Sequence, residues 1–407
     1  MDSSDSATIT VGQQLHPLCP EPEYHDHTIQ PPATDLPGKP VVEVWTPPPT
    51  SKLDIDWAKL RTIELSLLDS PDPKVVQELV DTCKVAIRDD GFIFLTNYGV
   101  SLDQLHRQFD IAQYLHRNIT DEDKERLHWN PDESGTFAGW KPKYGWRRDK
   151  GAKDNIEHFN YYQPQFESMD RVPTCMHPFW DEIVDFCNYL TYSVNKRLLK
   201  LLSKVLEMDD DYLWEHVQSK VGPVGQGYFR QALYYASDED VSAKSNGTRM
   251  NGHCDFGTTT MLFSVPVSSL QIWGRDGQWR YVPYKAGALV INIGETLELV
   301  SGGHFRATRH RVVDPPSDQV TFDRLSLVLF QASEGDLRME PAYGAYREFK
   351  RLREKGVPVP TNRQWREVQI ADAHHSTDAA PNDKIVYVNG TKHLQREYLG
   401  VNILLPA

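Results

Sequence analysis

The stretch His253-Cys254-Asp255-Phe256-Gly257-Thr258-Thr259-Thr260 decides the fold and the chemistry of this chain. In an extended strand, side chains two positions apart point to the same face, so His253 and Asp255 project together. A second histidine, His310, opens the apolar run His310-Arg311-Val312-Val313, 55 residues beyond Asp255. A neighbouring strand there would bring its imidazole alongside the first pair. Two neutral imidazoles and one carboxylate fill one face of an octahedron and leave three positions open, which suits non-haem Fe(II) and chemistry with O2. Hydrolytic zinc sites more often add a third histidine, or place His and Glu on a helix as in H-E-x-x-H. By itself H-x-D also fits a surface pair, and its weight comes from residues further along the chain. Arg324-Leu325-Ser326 lies 14 residues past His310 at the head of another apolar run, with Arg324 and Ser326 on one face. A buried guanidinium needs an anion, and its planar fork matches a carboxylate.

Around this block the apolar period is that of strands. The pattern predicts strands over 231–236, 258–265, 270–273, 279–284, 288–293, 310–313 and 325–331, with Gly274-Arg275-Asp276-Gly277 as a hairpin turn. Many short strands in succession indicate an antiparallel sandwich or jelly-roll barrel. Upstream, helices dominate. Asp72-Pro73 reads as an N-cap with proline in the first turn, Val76, Leu79, Val80, Cys83 and Ile87 continue at helical spacing, and Gly91 stops the run before the strand Phe92-Ile93-Phe94-Leu95. A second long helix is predicted from about 178 to 206, its apolar stripe facing the core. The chain therefore divides into a Pro-rich arm over 1–52, an N-terminal α/β region over 53–207, a strand-rich core over 208–345 and an extension over 346–407. His25-Asp26-His27 in the arm reads as a solvated tail.

Composition excludes several classes. A net charge of −13 opposes a sequence-independent grip on nucleic acid. No run reaches the roughly 20 apolar residues of a membrane span, and the N-terminus has neither a basic start nor an apolar stretch of signal type. Cys19, Cys83, Cys175, Cys187 and Cys254 are odd in number and scattered, without a C-x-x-C pair, which argues against a disulfide framework and a zinc ribbon. These features point to a soluble protein of the cytoplasm.

The segment 253–260 resembles the H-x-D-x-G-x-x-T block of the 2-oxoglutarate and Fe(II)-dependent dioxygenases related to isopenicillin N synthase. Leu270-Gln271-Ile272, Asn292-Ile293-Gly294-Glu295, His310-Arg311-Val312-Val313 and Arg324-Leu325-Ser326 come in that family's order. Gly91-Phe92-Ile93-Phe94-Leu95-Thr96-Asn97-Tyr98-Gly99-Val100 is similar to its G-F-F-x-x-x-N-H-G-V motif, with Tyr98 in place of His. The resemblance spans about 60–340 and implies an α+β chain, a double-stranded β-helix (jelly-roll, cupin-like) barrel with the N-terminal helical region packed on it. It further implies that His253, Asp255 and His310 hold Fe(II), that Arg324 and Ser326 bind the distal carboxylate of 2-oxoglutarate, and that O2 is the co-reactant. The family's N-Y-Y stretch aligns with Leu233-Tyr234-Tyr235, which makes Tyr235 a further hydroxyl on the cosubstrate, leaves Leu233 where Asn is usual, and assigns Tyr234 to packing. Hydroxylation is the default outcome; desaturation, epoxidation, ring closure and ring expansion start from the same substrate radical.

Substrate signals are thinner. Segment 137–162 interleaves aromatics with cations and marks Trp146, Arg147 and Phe159 as substrate candidates, with Arg230 as a candidate contact to an acid. The nucleic-acid demethylases of the superfamily carry a second Arg after the first, where this chain has Leu327-Val328-Leu329-Phe330. The extension, with Trp365 and a strand over 384–388, reads as a lid, an edge strand or a contact for a homodimer or heterodimer. His304 is the one rival ligand, and its glycine-rich setting makes it a loop residue. Three functions compete: oxidation of a small molecule in natural-product biosynthesis, an isopenicillin N synthase-like oxidase that uses no 2-oxoglutarate, and a silent heterodimer partner built on the same barrel.

Overall fold

The computed structural model describes residues 38–146, 154–218, 226–236, 239–342, 347–375, 383–388 and 390–406. The helix Pro73–Asp89 begins as its sequence dictates: Asp72 accepts from Lys74 N at 2.9 Å, and Pro73 occupies a position whose N–H has no helical partner. Gly91 ends the connection at φ +64°, with the Arg306 carbonyl so near that a Cβ would sit 2.2 Å from it. Helix Leu102–Asn118, which the apolar pattern alone does not announce, is started by a reciprocal capping box between Ser101 and Gln104. The predicted second long helix is Trp180–Tyr189, a π-helical turn Leu190–Asn195, then Lys196–Val205. The π turn aims polar side chains at the sheet, where Asn195 Oδ1 accepts from Thr259 Oγ1 at 2.7 Å and Thr191 Oγ1 from Gln331 Nε2 at 2.9 Å.

Among the described residues, twelve strands form two sheets. The first six are β1 (Thr62–Glu64), β2 (Phe92–Thr96), β3 (Gly139–Lys141), β4 (Ile156–Tyr162), β5 (Tyr228–Tyr234) and β6 (Thr248–His253). The remainder are β7 (Thr259–Phe263), β8 (Leu270–Trp273), β9 (Trp279–Tyr281), β10 (Leu289–Ile293), β11 (His310–Val313) and β12 (Arg324–Phe330). The larger sheet runs β1-β2-β10-β7-β12-β5-β4-β3 and the smaller β6-β11-β8-β9, with the Gly274–Gly277 turn joining β8 to β9. All pairings are antiparallel except β1 with β2.

Both faces of the larger sheet are covered, which is why its strands read as nearly continuous apolar runs. Ile93, Leu95, Leu325, Leu327 and Leu329 join the helices in the main core. The alternate residues face the smaller sheet: Phe92, Phe94 and Val290 pack with Leu270 and Ile272, and Ile156, Ala232 and Tyr234 with Val312. The space between the sheets is where the H-x-D pair sits.

The terminal segments are anchored to this body. Trp45 of the arm stacks on Phe109 at 4.3 Å and its N–H donates to Asp110 at 2.6 Å. In the extension, Lys384–Val388 pairs with Thr391–Tyr398 and that strand with Val401–Pro406, a sheet of its own. The edge-strand reading is thereby corrected: among the described residues the extension adds no strand to either large sheet. Phe349, Leu352, Trp365, Tyr398 and Val401 instead pack against Leu299 and Met339. Cys83, Cys175, Cys187 and Cys254 are free thiols, and burial pushes that of Cys83 up to about 12. No helix among the described residues is long and apolar enough to cross a membrane.

Candidate metal centre and active-site cavity

β6 and β11 are neighbours, and their register places His310 directly opposite His253. Asp255 lies two residues beyond the end of β6. Its Oδ1 is 3.6 Å from His253 Nε2 and 3.7 Å from His310 Nε2, and the three ligand atoms fall within 4.8 Å of one another. Two bonds of about 2.1 Å to one ion span about 4.2 Å at most, so each imidazole can share an ion with the carboxylate. Every other polar atom of the three side chains is engaged. His253 Nδ1–H donates to Asn251 O at 2.9 Å and His310 Nδ1–H to Thr308 O at 3.1 Å, which leaves both Nε2 lone pairs aimed at the centre. Asp255 Oδ2 accepts from Thr260 Oγ1 at 2.6 Å and Asn292 Nδ2 at 2.8 Å, which leaves Oδ1.

Burial, then the neighbouring His310, holds the His253 imidazole below its usual range, in the neutral form a metal requires. Burial alone would raise the Asp255 carboxyl; the two imidazoles and the Thr260 and Asn292 hydrogen bonds outweigh it and keep the group ionised. The backbone of the motif is equally constrained. A Cβ on Gly257 would meet Gln331 O at 2.2 Å, and the Glu295 N–H donates to Asp255 O at 2.7 Å, tying the loop to the helix Glu295–Val300. Thr260 and Asn292 stand in the family-like motifs, yet sequence reasoning assigns them no role. The period of two along β7 and β10, counted from Asp255 inward, is the signal that could have found them.

Arg324 projects from β12 into the space between the sheets, 4% exposed, with Ser326 beside it on the same face. Its cross-strand partner is Tyr234, whose ring centre lies 5.1 Å from the guanidinium and whose hydroxyl accepts a hydrogen bond from it. Arg324 Nε is buried with no partner. A buried donor of this kind fits an incoming carboxylate. Tyr235 does not share this position. Its backbone N–H bonds Asn155 O at 3.1 Å, its hydroxyl bonds Glu157, and Lys143 Nζ lies 4.3 Å over its ring. Consecutive strand residues face opposite ways, and the register places Tyr234, not Tyr235, beside Arg324. Leu233 points into the helical core, so no polar contact is lost there.

Two family profiles match the chain in order and together cover more than half of it: the non-haem dioxygenase in morphine synthesis N-terminal family over 60–182 and the 2OG-Fe(II) oxygenase superfamily over 229–333. The chain belongs to the 2OG-Fe(II) oxygenase superfamily. Among curated relatives, a 2-oxoglutarate-dependent dioxygenase of Dothideomycetidae sp. (strain 11243) is 29% identical, over 78% of this chain and 95% of that one. Isopenicillin N synthase of Streptomyces jumonjinensis is 24% identical over 70% and 87%. A full-length Neurospora crassa protein, solved in complex with alpha-KG and thymine, shares the fold at a TM-score of 0.64 and 19% identity, over 77% of this chain and 96% of that one. The protein is a non-haem Fe(II) and 2-oxoglutarate-dependent dioxygenase.

The oxygenase has a cavity of about 470 Å³ walled in part by His253 and Asp255. This size suits a small molecule. Trp146 lines it, as does Arg230, whose Nε donates to Asn160 Oδ1 at 2.8 Å and whose guanidinium lies over Tyr228 and Phe330. Phe159 does not. It lies on the other face of β4, 4.5 Å from Tyr161 in the helical core, because the inward residues of that strand are its neighbours His158 and Asn160. Arg147 lies outside the described residues. Lys141, one of the cations of this segment, is fully buried and donates to Asp154 and to Ile156 O, each at 2.7 Å. Asp154 also accepts the Trp146 N–H at 2.5 Å, so this ion pair sets the tryptophan at the cavity wall. His304 is exposed and outside the triad. The extension contributes walls of its own, among them Arg366, Leu394, Tyr398 and Leu405.

Proposed function

We propose that His253, Asp255 and His310 hold one Fe(II), that Arg324 with Tyr234 and Ser326 takes the distal carboxylate of 2-oxoglutarate, and that the cavity beside them admits a small organic substrate. The observation that carries this is the engagement of every other polar atom of the triad, which leaves two Nε2 and one Oδ1 converging. Bound Fe(II), with 2-oxoglutarate and O2, supplies oxidative decarboxylation to succinate and CO2 coupled to oxidation of the substrate. The chain's own residues do the rest. Asn251 O and Thr308 O fix the histidine tautomers, and Thr260 and Asn292 hold the carboxylate in one rotamer. The aromatic walls exclude water and set which substrate carbon faces the centre. We read the two packed sheets as a closed double-stranded β-helix, and the protein as a cytoplasmic enzyme of natural-product biosynthesis acting on a small molecule. Support for the biosynthetic role comes from the matched N-terminal family, described for morphine synthesis.

The test is substrate-dependent succinate release. Anaerobic Fe(II)-loaded protein is exposed to a metabolite extract, the retained compound is identified by mass spectrometry, and O2 and 2-oxoglutarate are admitted. One succinate per product, with a gain of oxygen or loss of hydrogen in the product, is expected. Product formed without succinate would favour the isopenicillin N synthase-like oxidase; neither product nor succinate would favour a silent partner.

A further inference from the structure

We propose that Arg366, supplied by the C-terminal extension, binds the anionic group of the substrate, and that the substrate is a small organic acid: a carboxylate on an aromatic or alicyclic body. This rests on the cavity being the substrate site of the proposed function. Arg366 lies on the helix Asn362–His375 and lines the same cavity as His253 and Asp255. It is 6% exposed, and its Nε and Nη1 are buried with no hydrogen-bond partner. Among the described residues no carboxylate pairs with it. An uncompensated guanidinium at such a depth is costly, and one that survives has a partner that arrives from outside.

Three other arginines of the cavity wall are engaged. Arg249 pairs with Asp314 at 2.7 Å, Arg311 donates to Gln271 and lies 4.3 Å over Trp279, and Arg230 is held by Asn160. Arg366 alone of these four has no hydrogen-bond partner among the described residues, and a planar fork matches one carboxylate.

Its position is rigid. One residue before it, Trp365 Nε1 donates to Glu295 Oε2 at 2.8 Å; three residues after it, Gln369 Nε2 donates to the same oxygen at 2.6 Å. Asn362 Nδ2 donates to Ser333 O at 2.9 Å and the Arg363 N–H to Gly335 O at 2.8 Å. Glu295 is itself bonded to Asp255 through its N–H, so the anion site and the metal centre share one frame. The cavity has a flat wall of Tyr162, Tyr228 and Phe330, stacked at 4.6 and 4.5 Å. Arg366 and Asp255 line that same cavity. A ring laid on the wall, with its carboxylate at Arg366, shares the cavity with the metal centre.

Phenylacetate, cinnamate and 1-naphthylacetate, each with its primary amide, are the probes. Binding is read by ligand-observed NMR, on protein loaded anaerobically with Fe(II) and 2-oxoglutarate and again on metal-free protein. We expect the acids to bind about tenfold or more tightly than the amides, the preference of one charge-assisted pair. Arg366→Gln should bring the two within about twofold and leave iron at one per chain. It should also hold or raise Tm, because it removes a buried unpaired charge, whereas a merely structural arginine would lower it. Equal binding of acids and amides, no binding of any acid, or a Gln variant that keeps the preference or melts earlier would overturn the proposal. So would a variant that loses affinity for 2-oxoglutarate instead of for the probes. Failure of the wild type to bind Fe(II) or 2-oxoglutarate, with the acid preference intact on metal-free protein, would strike the proposed function and uphold this inference.

Discussion

Removing the Arg324 side chain should raise the concentration of 2-oxoglutarate needed for half-maximal turnover by roughly 150-fold. The magnitude comes from the setting. The guanidinium is 4% exposed, its Nε has no partner in the protein, and Tyr234 supplies only a hydroxyl and a ring face. A carboxylate in that position gains charge-assisted hydrogen bonds worth about 1.5–3 kcal/mol each, and a net loss of about 3 kcal/mol is roughly 150-fold in affinity. Arg324→Lys keeps the charge without the planar fork and should fall between, at about tenfold. The assay is succinate formation against 2-oxoglutarate concentration, with direct 2-oxoglutarate binding to the anaerobic Fe(II) protein as the parallel readout. Neither variant should cost the free protein the about 3–5 kcal/mol of a broken buried ion pair, since neither breaks one. A 2-oxoglutarate requirement within twofold of wild type in a folded Arg324→Ala protein would refute the reasoning and make the residue structural.

The two tyrosines separate cleanly: with Tyr234 proposed beside the cosubstrate, Tyr234→Phe should raise the 2-oxoglutarate requirement by about fivefold, as one hydrogen bond of about 1 kcal/mol predicts, and Tyr235→Phe should leave it unchanged. Equal effects in the same assay would contradict the register argument. Lys141→Met leaves Asp154 buried without its cation and should cost about 3–5 kcal/mol in denaturant unfolding, more than any exposed lysine of the same segment. Burial pushes the Glu295 carboxyl up to about 8 despite the Trp365 hydrogen bond. The native state therefore keeps a proton that the unfolded chain gives up near pH 4.5, and stability contributed by the neutral form is lost as pH rises from about 4.5 through about 8. In metal-free protein, Glu295→Gln should flatten the fall of Tm over that window, and Glu298, raised by burial to about 7, should account for the slope that remains. Parallel curves for the two proteins would disprove the assignment to Glu295.

Much of the fold and of the metal centre was legible because two simple periods govern them. The period of two placed His253 with Asp255 and Arg324 with Ser326, and the strands at 270–273 and 310–313 have the predicted bounds. What stayed hidden depends on partners far along the chain. β4 lies in a segment whose aromatics and cations read as substrate contacts, and only its pairing with β5 turns His158 and Asn160 inward and Phe159 away. Tyr234 and Tyr235 are indistinguishable by type; the register with β12 chooses between them. The extension stays undecided between lid, edge strand and dimer contact because Arg366, Leu394 and Leu405 have no local signal of a common target. Their convergence depends on Trp365 and Gln369 docking on Glu295, 70 and 74 residues away.

The most direct test of the iron assignment is anaerobic equilibrium dialysis against Fe(II), with metal analysis of the retained protein. Wild type should hold one ferrous ion per chain. His253→Ala, Asp255→Ala and His310→Ala should each lose it, while Asn292→Ala, which disturbs only the carboxylate's support, should weaken retention by about 10–100-fold. Wild-type protein that retains no iron, or triad variants that retain it as well as wild type does, would contradict the assignment at its root.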